Sequence, residues 1–546
     1  MPIAALLKRQ ETPSGSTPER QLAPIAAAFL KALNQGASKT APDGQVIHVS
    51  SVVSEAAALY ERLRYSLDYH EEHLLRRHAL ERILRRRFDE KPSFEGVAKG
   101  LMIELIQAQY LKNDQVLETV VSDVQVILDR YAAALDLLLP RSGSERRAIR
   151  DWLLGLLSAE LDGELVPAPE ERALVELMAH YVARDNPLEG WSVPEAERQT
   201  QVFIACYRAL FAFDPQTLRY LLLSRRFPAW KVARATDVPE MVTELRALRQ
   251  EVEQALRHPL AAKLYRAFRT RAIAFHALKD IVLKKPDAAI DVLSDEERLT
   301  GVLREVCEVY YAQARRRLYR SALRATVYIF LTKVILAVSV EAPLEKAIYG
   351  QAAPLPLLIN IAFPPVLMML LTITTRLPGA ANTAAIRRLI SVLLYGESRR
   401  IFAPLRPPTG QGAAAVSRSF FTLFYIVIFT ITFGLILTGL RQLEYTAVSA
   451  GLFIFFLCVV SFFALRVRQP VRDLFVTRHR ENLVVFLLDF FSLPILNIGH
   501  WISVTSARFN VFLYLFDYFL EAPFKAFLLM VEDVLGSFRE RREDLF

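Results

Sequence analysis

A few side chains in this 546-residue sequence stand where their neighbours make their chemistry costly. Lys333 lies near the middle of the apolar run Ala325–Val340, where a charged group in lipid costs about 3 kcal/mol unless it finds a partner or water. Asn360 and the adjacent Pro364 and Pro365 interrupt a second apolar run. Two prolines in succession remove two amide donors and clash with the preceding turn, so the helix is expected to bend or break there. Freed carbonyls at such breaks bind substrates and ions in several transporter folds. Asp489 stands in a later apolar stretch. Lys333, Asn360, Pro364, Pro365 and Asp489 therefore form a candidate polar site within a membrane, with Lys333 paired to Asp489 or bonded by Asn360. The plainer reading of the same residues is a snorkelling lysine, an interhelical hydrogen bond and a simple proline kink.

The N-terminal half offers less. Arg76, Arg77, Arg82, Arg85, Arg86 and Arg87 crowd one expected helix. They could grip anionic lipid headgroups or a partner, or instead form a solvated face paired with acidic neighbours, as charge runs on amphipathic helices usually do. No aromatic-rich RNA motif accompanies them, so nucleic acid is not an expected partner despite the formal charge of +9. His70 and His73 are three apart rather than in an H-E-x-x-H frame, and no third ligand can be named, so no metal is expected. Gly410-Gln411-Gly412 follows Arg-Pro-Pro-Thr rather than a strand and reads as a loop. No nucleotide-binding lysine motif, nucleophile elbow or kinase signature occurs, so no cofactor is expected and an enzyme is disfavoured. Cys206, Cys307 and Cys458 have neither metal nor disulfide spacing and fit a reducing compartment.

The elements that must position these residues follow from hydropathy. Apolar residues make up 53% of the chain, and the excess falls after about residue 320. Four runs can span a bilayer: Ala325–Val340, Leu355–Thr375, Phe420–Leu440 and Ala447–Leu465. The first is short and must borrow residues from either side. Seventeen arginines fall in 315–324, 376–418 and 466–482, against only Lys346 and Arg441 in the alternate connections. That asymmetry places the N-terminal half, the 376–418 connection and the residues after the fourth span in the cytoplasm, in a plasma or inner membrane. Within 376–418, Ile386–Leu394 reads as a short interfacial anchor. Residues 483–504 read equally as a re-entrant or kinked segment and as a clean span, and 509–538 as an amphipathic helix ahead of an arginine-rich, cytoplasmic tail.

Before residue 320 the periodicity is helical, with no alternating strand pattern. The expected fold is all-α. It comprises a mobile arm with one short helix (1–46), a cytosolic helical domain (47–320), a four-span region (321–466) and a membrane-associated C-terminal region (467–546). No secretory signal sequence is read at the start. Helix starts are expected at Asp214-Pro215 and at capping boxes Ser192/Glu195 and Ser294/Glu297, the last opening a helix that runs unbroken into the first span. The expected function is a membrane-anchored protein whose helical domain acts as an interaction, scaffold or regulatory module, in contact with the bilayer, anionic headgroups and a protein partner. The alternative is a small transporter or channel built on the polar membrane site.

Overall fold

The computed structural model describes residues 22–37, 45–49, 74–90, 93–284, 286–350, 354–407, 411–477 and 483–507. Residues 1–21 and 38–44 of the expected arm, the start of the basic helix with His70 and His73, and the C-terminal amphipathic stretch and tail lie outside the described residues, whereas the arm's short helix is described. The regular elements among the described residues are all helices, apart from one isolated bridge between Val46 and Leu117.

Helices α1 (Pro24–Ala37), α2 (Leu75–Glu90), α3 (Val97–Gln107), α4 (Thr119–Leu138), α5 (Ser144–Leu165), α6 (Pro169–Asp185) and α7 (Glu195–Phe211) open the chain. They are followed by α8 (Pro215–Arg226), α9 (Pro228–Val232), α10 (Val238–Arg257), α11 (Pro259–Lys284) and α12 (Ala289–Ser294). Proline opens α6, α8 and α10, where its missing amide costs nothing. Asp214 caps α8 as its sequence foretold, accepting from the amides of Gln216 and Thr217. Neither expected capping box forms. α7 starts after Pro194 without a side-chain cap. Ser294 instead ends α12, and Asp295 caps the next helix through the amides of Glu297 and Arg298, a carboxylate being a charge-assisted acceptor.

Two apolar cores hold these helices together. One joins α2 to α5 with α8, α9 and α10, around Leu84, Leu105, Tyr131, Leu153 and Trp230. At its centre Arg130 meets Glu160 at 2.5 Å, Tyr131 donates to Glu160 at 2.8 Å, and Trp230 donates to Tyr131 at 3.2 Å. The other core joins α1, α6, α7, α11, α12 and the start of α13 (Glu296–Leu336). It also takes in α16 (Ala380–Tyr395) through Ile386, Ile390, Leu393 and Leu394, together with Ile401 and Phe402. The segment expected as an interfacial anchor is thus a core element. Its apolar stripe is fully buried because α11 and α1 cover it. The core also crosses both boundaries expected at 46/47 and 320/321.

α13 runs 41 residues from Asp295 without a break, about 62 Å at 1.5 Å per residue. It then passes through a π-helical turn, Ala337–Glu341, into α14 (Ala342–Tyr349). α15 (Pro354–Ile373), α17 (Gln411–Gln442) and α18 (Ala447–Arg472) follow the second and later apolar runs. Four of the described helices are long and apolar enough to cross a membrane, as expected of a membrane protein. α13, α15 and α18 pack on small and flexible residues, Ala322, Ala325, Ala464 and Met368, which let helices approach closely. Pro364 and Pro365 do not break α15, which continues through both. Membrane helices absorb proline when neighbours occupy the freed groups, and both prolines are buried. The Gly-Gln-Gly segment expected as a loop enters α17 from Gln411. α19 (Leu483–Ala507) is one continuous helix, so the re-entrant turn expected there does not occur within these residues. Gly499 lets it press on α18, since a Cβ there would lie 2.1 Å from the Cys458 carbonyl oxygen.

Candidate functional site

Lys333, Ala337, Glu341 and Glu345 recur every four residues and all four are buried. In an α-helix a four-residue step overshoots the 3.6-residue turn by about 40°, so four such positions would fan around the axis. The π-turn, whose hydrogen bonds reach one residue further, takes up that overshoot. It keeps the three ionisable groups on one face, turned toward α15 and α18.

There they meet polar partners. Lys333 Nζ donates to Glu341 Oε2 at 3.0 Å and lies 4.6 Å from the centre of the Phe456 ring. Asn360 Nδ2 donates to Glu341 Oε1 and, at 3.1 Å, to the carbonyl of Ser449. Ser449 Oγ is in hydrogen-bond contact with Glu341 Oε1 at 3.0 Å and with Glu345 Oε1. Thr446, the cap of α18, accepts from the Ser449 amide at 3.2 Å and donates its hydroxyl to Glu345 at 2.6 Å. Lys333, Glu341, Glu345 and Ser449 have no exposed surface, and Asn360 has 1%. The start of α18 adds the positive end of its dipole to the Glu345 side. Two carboxyl groups and one ammonium group therefore share a water-shielded site toward the end of the bundle remote from α1 to α12.

Of the expected membrane residues, the structure brings Lys333 and Asn360 together through Glu341. Pro364 and Pro365 lie one turn further along α15 and supply packing. Asp489 is on α19, its side chain outside the described residues. Sequence reasoning missed Glu341, Glu345, Thr446 and Ser449. The four-residue spacing of Lys333, Glu341 and Glu345 was the available signal, obscured because Glu341 coincides with the end of the apolar run. Compared with known proteins, the chain matches no family model, no curated protein and no solved structure.

The basic helix lies elsewhere. Arg76 donates to Asp162 at 2.5 Å, and the buried Arg77 bonds Glu81 at 2.6 Å and Asp214 at 2.9 Å. Arg85 reaches Glu81, while Arg86 and Arg87 share Glu104. Arg82 is engaged as well. This placement favours internal pairing over a lipid-gripping face. Exposed arginines gather instead where the helical body meets the bundle, at Arg315, Arg316, Arg320, Arg324, Arg376 and Arg472.

Three connections close that junction. Asp185 accepts from the amides of Ile401 at 2.6 Å and Phe402 at 2.9 Å, and Tyr181 donates to the Leu393 carbonyl at 2.7 Å. Beyond α18, Arg269 pairs with Asp473 at 2.5 Å, and Asn382 exchanges hydrogen bonds with Leu474 and Val476. α13 supplies the third link by continuity.

Proposed function

We propose that the chain is a multi-pass membrane protein whose helical body is an interaction and regulatory platform, held rigidly to its membrane bundle on the cytoplasmic side. The observation that supports this is the junction: the connection between the second and third spans completes the body's core. A simple anchor would need only a linker. Here each span pair is tied to the body, so a shift in the bundle moves the surface the body presents to a protein partner. The arginine excess on the same connections supports the cytoplasmic placement, and the exposed arginine collar supports contact with anionic headgroups.

The test is hydrogen exchange on the reconstituted full chain carrying Asp185→Ala. Protection should fall in 396–407 and also in 473–477 and the adjoining turns of α18. Loss confined to 396–407 would show a body that is tethered, not coupled.

A second reading, a small transporter or channel, rests on the buried Lys333–Glu341 pair, because membrane ionisable groups commonly line ion or proton paths.

A further inference from the structure

Away from the bundle, the helical body carries a cleft of about 340 Å³ where α8 and α10 meet α7. These two helices serve both apolar cores: Leu222, Val252 and Ala255 belong to one, Leu223 and Leu248 to the other. The first three also line the cleft, so part of its wall is apolar. Its polar groups are of both signs. Glu197 comes from α7, Glu251 from α10, Arg226 from the end of α8 and His258 from just before α11.

The charges are not spent on one another. Among the described residues neither carboxylate forms an ion pair, although Glu253 on the same helix as Glu251 engages both Arg219 and Arg257. Arg226 forms none either and donates to the Thr200 hydroxyl at 3.0 Å. His258 Nδ1 accepts from the Leu260 amide at 3.3 Å, which leaves the ring hydrogen on Nε2 as a further donor. A separate observation points to a ligand. Gln201 has no exposed surface and gives its amide hydrogens to two residues of the cleft wall, Glu197 Oε1 at 2.7 Å and the Ala255 carbonyl at 2.8 Å. Its Oε1 has no hydrogen-bond partner among the described residues, and a buried acceptor in that state calls for a donor.

We propose that the cleft binds a small zwitterion, an α-amino acid with an apolar side chain. The ammonium group goes to Glu197 and Glu251, the carboxylate to Arg226, and the side chain to Leu222 and Val252. A simple cation or anion would answer only one sign of charge, and a neutral solute neither. Apolar walls with a few converging polar groups are the usual make-up of small-molecule sites. Binding here does not depend on the coupling proposed above, and its failure would leave that reading standing.

Titration calorimetry of the full chain in phosphatidylcholine nanodiscs, with L-leucine as the probe, tests the site. One leucine per chain is expected. Isocaproate, which is leucine without its ammonium group, and isoamylamine, leucine without its carboxylate, should each bind weaker by about tenfold or more, since each forfeits a charge-assisted hydrogen bond. Glu251→Gln and Arg226→Gln should weaken leucine by a similar factor. Both side chains are exposed, so the two variants should melt with the wild type when no leucine is present, which separates a lost site from a lost fold. Absence of saturable heat from leucine would overturn the proposal. So would equal binding of isoamylamine and leucine, which would make the cleft a cation site, or leucine binding that both substitutions leave intact.

Discussion

Lys333 and Glu341 occupy positions that neither could hold alone. Removing one partner of a buried pair costs about 3–5 kcal/mol, while replacing both with apolar groups is often neutral. Lys333→Leu should therefore lower the melting temperature in detergent, and Lys333→Leu with Glu341→Leu should recover most of it. In the transport reading both variants lose ion flux in reconstituted vesicles, so flux that persists in the stable double variant would remove that reading. Among the body helices, burial first and the neighbouring Glu170 second raise Glu171 from 4.5 to about 7. The folded chain then binds a proton that the unfolded chain has released, so this site loses stability as pH rises from about 4.5 to 7. Glu171→Gln should be more stable than wild type above pH 7 by at most about 3 kcal/mol, the advantage vanishing in acid. Equal melting curves across that range would refute the assignment. At this scale Lys333 and Asn360 were legible as polar residues inside apolar runs. Glu341 and Glu345 were not, because a carboxylate at the end of a run looks like a boundary.

Among the elements, the π-turn makes the most specific statement. It amounts to one residue more than an α-helix needs between Lys333 and Glu341. Deleting Ser339 should let the turn relax to α while both side chains keep facing each other, with stability changed by about 1 kcal/mol or less. Inserting one residue after Ser339 should rotate Glu341 by about 100° and break the pair. Thermal melts of the two variants check this, and equal loss would show that the turn has no alignment role. The start of α8 was readable, since Asp214 and Pro215 are local signals, while the two expected capping boxes were not realised. The fate of α16 was not readable. Its amphipathic pattern fits a membrane surface and a protein core equally well, and only Tyr181 and Asp185, two hundred or so residues upstream, together with α11, about a hundred upstream, decide between them.

At the scale of the molecule, four apolar helices and the arginine asymmetry were visible in composition alone, and the three arginine-rich connections do converge on the helical body. The collar they form carries the lipid prediction in place of Arg76 to Arg87, of which Arg76, Arg77, Arg85, Arg86 and Arg87 pair with Asp162, Glu81, Asp214 and Glu104. Changing Arg315, Arg316 and Arg320 together to Gln should reduce the thermal stabilisation given by phosphatidylglycerol over phosphatidylcholine, by about 1 kcal/mol per arginine. An undiminished lipid effect would exclude the collar. How the body's core is divided along the chain could not be read, because no local pattern reveals partners on opposite sides of two spans.

That division constrains biosynthesis. While residues up to 320 have left the ribosome, the face of α6 and α11 that will receive Ile386, Leu393 and Phe402 is still bare, and its last strip arrives only after two hydrophobic hairpin arms have been handed to the membrane. Insertion and completion of the body are therefore successive steps of one process. A chain stopped before residue 380 should emerge as a sticky, chaperone-bound fragment, while one extended past 405 should mature.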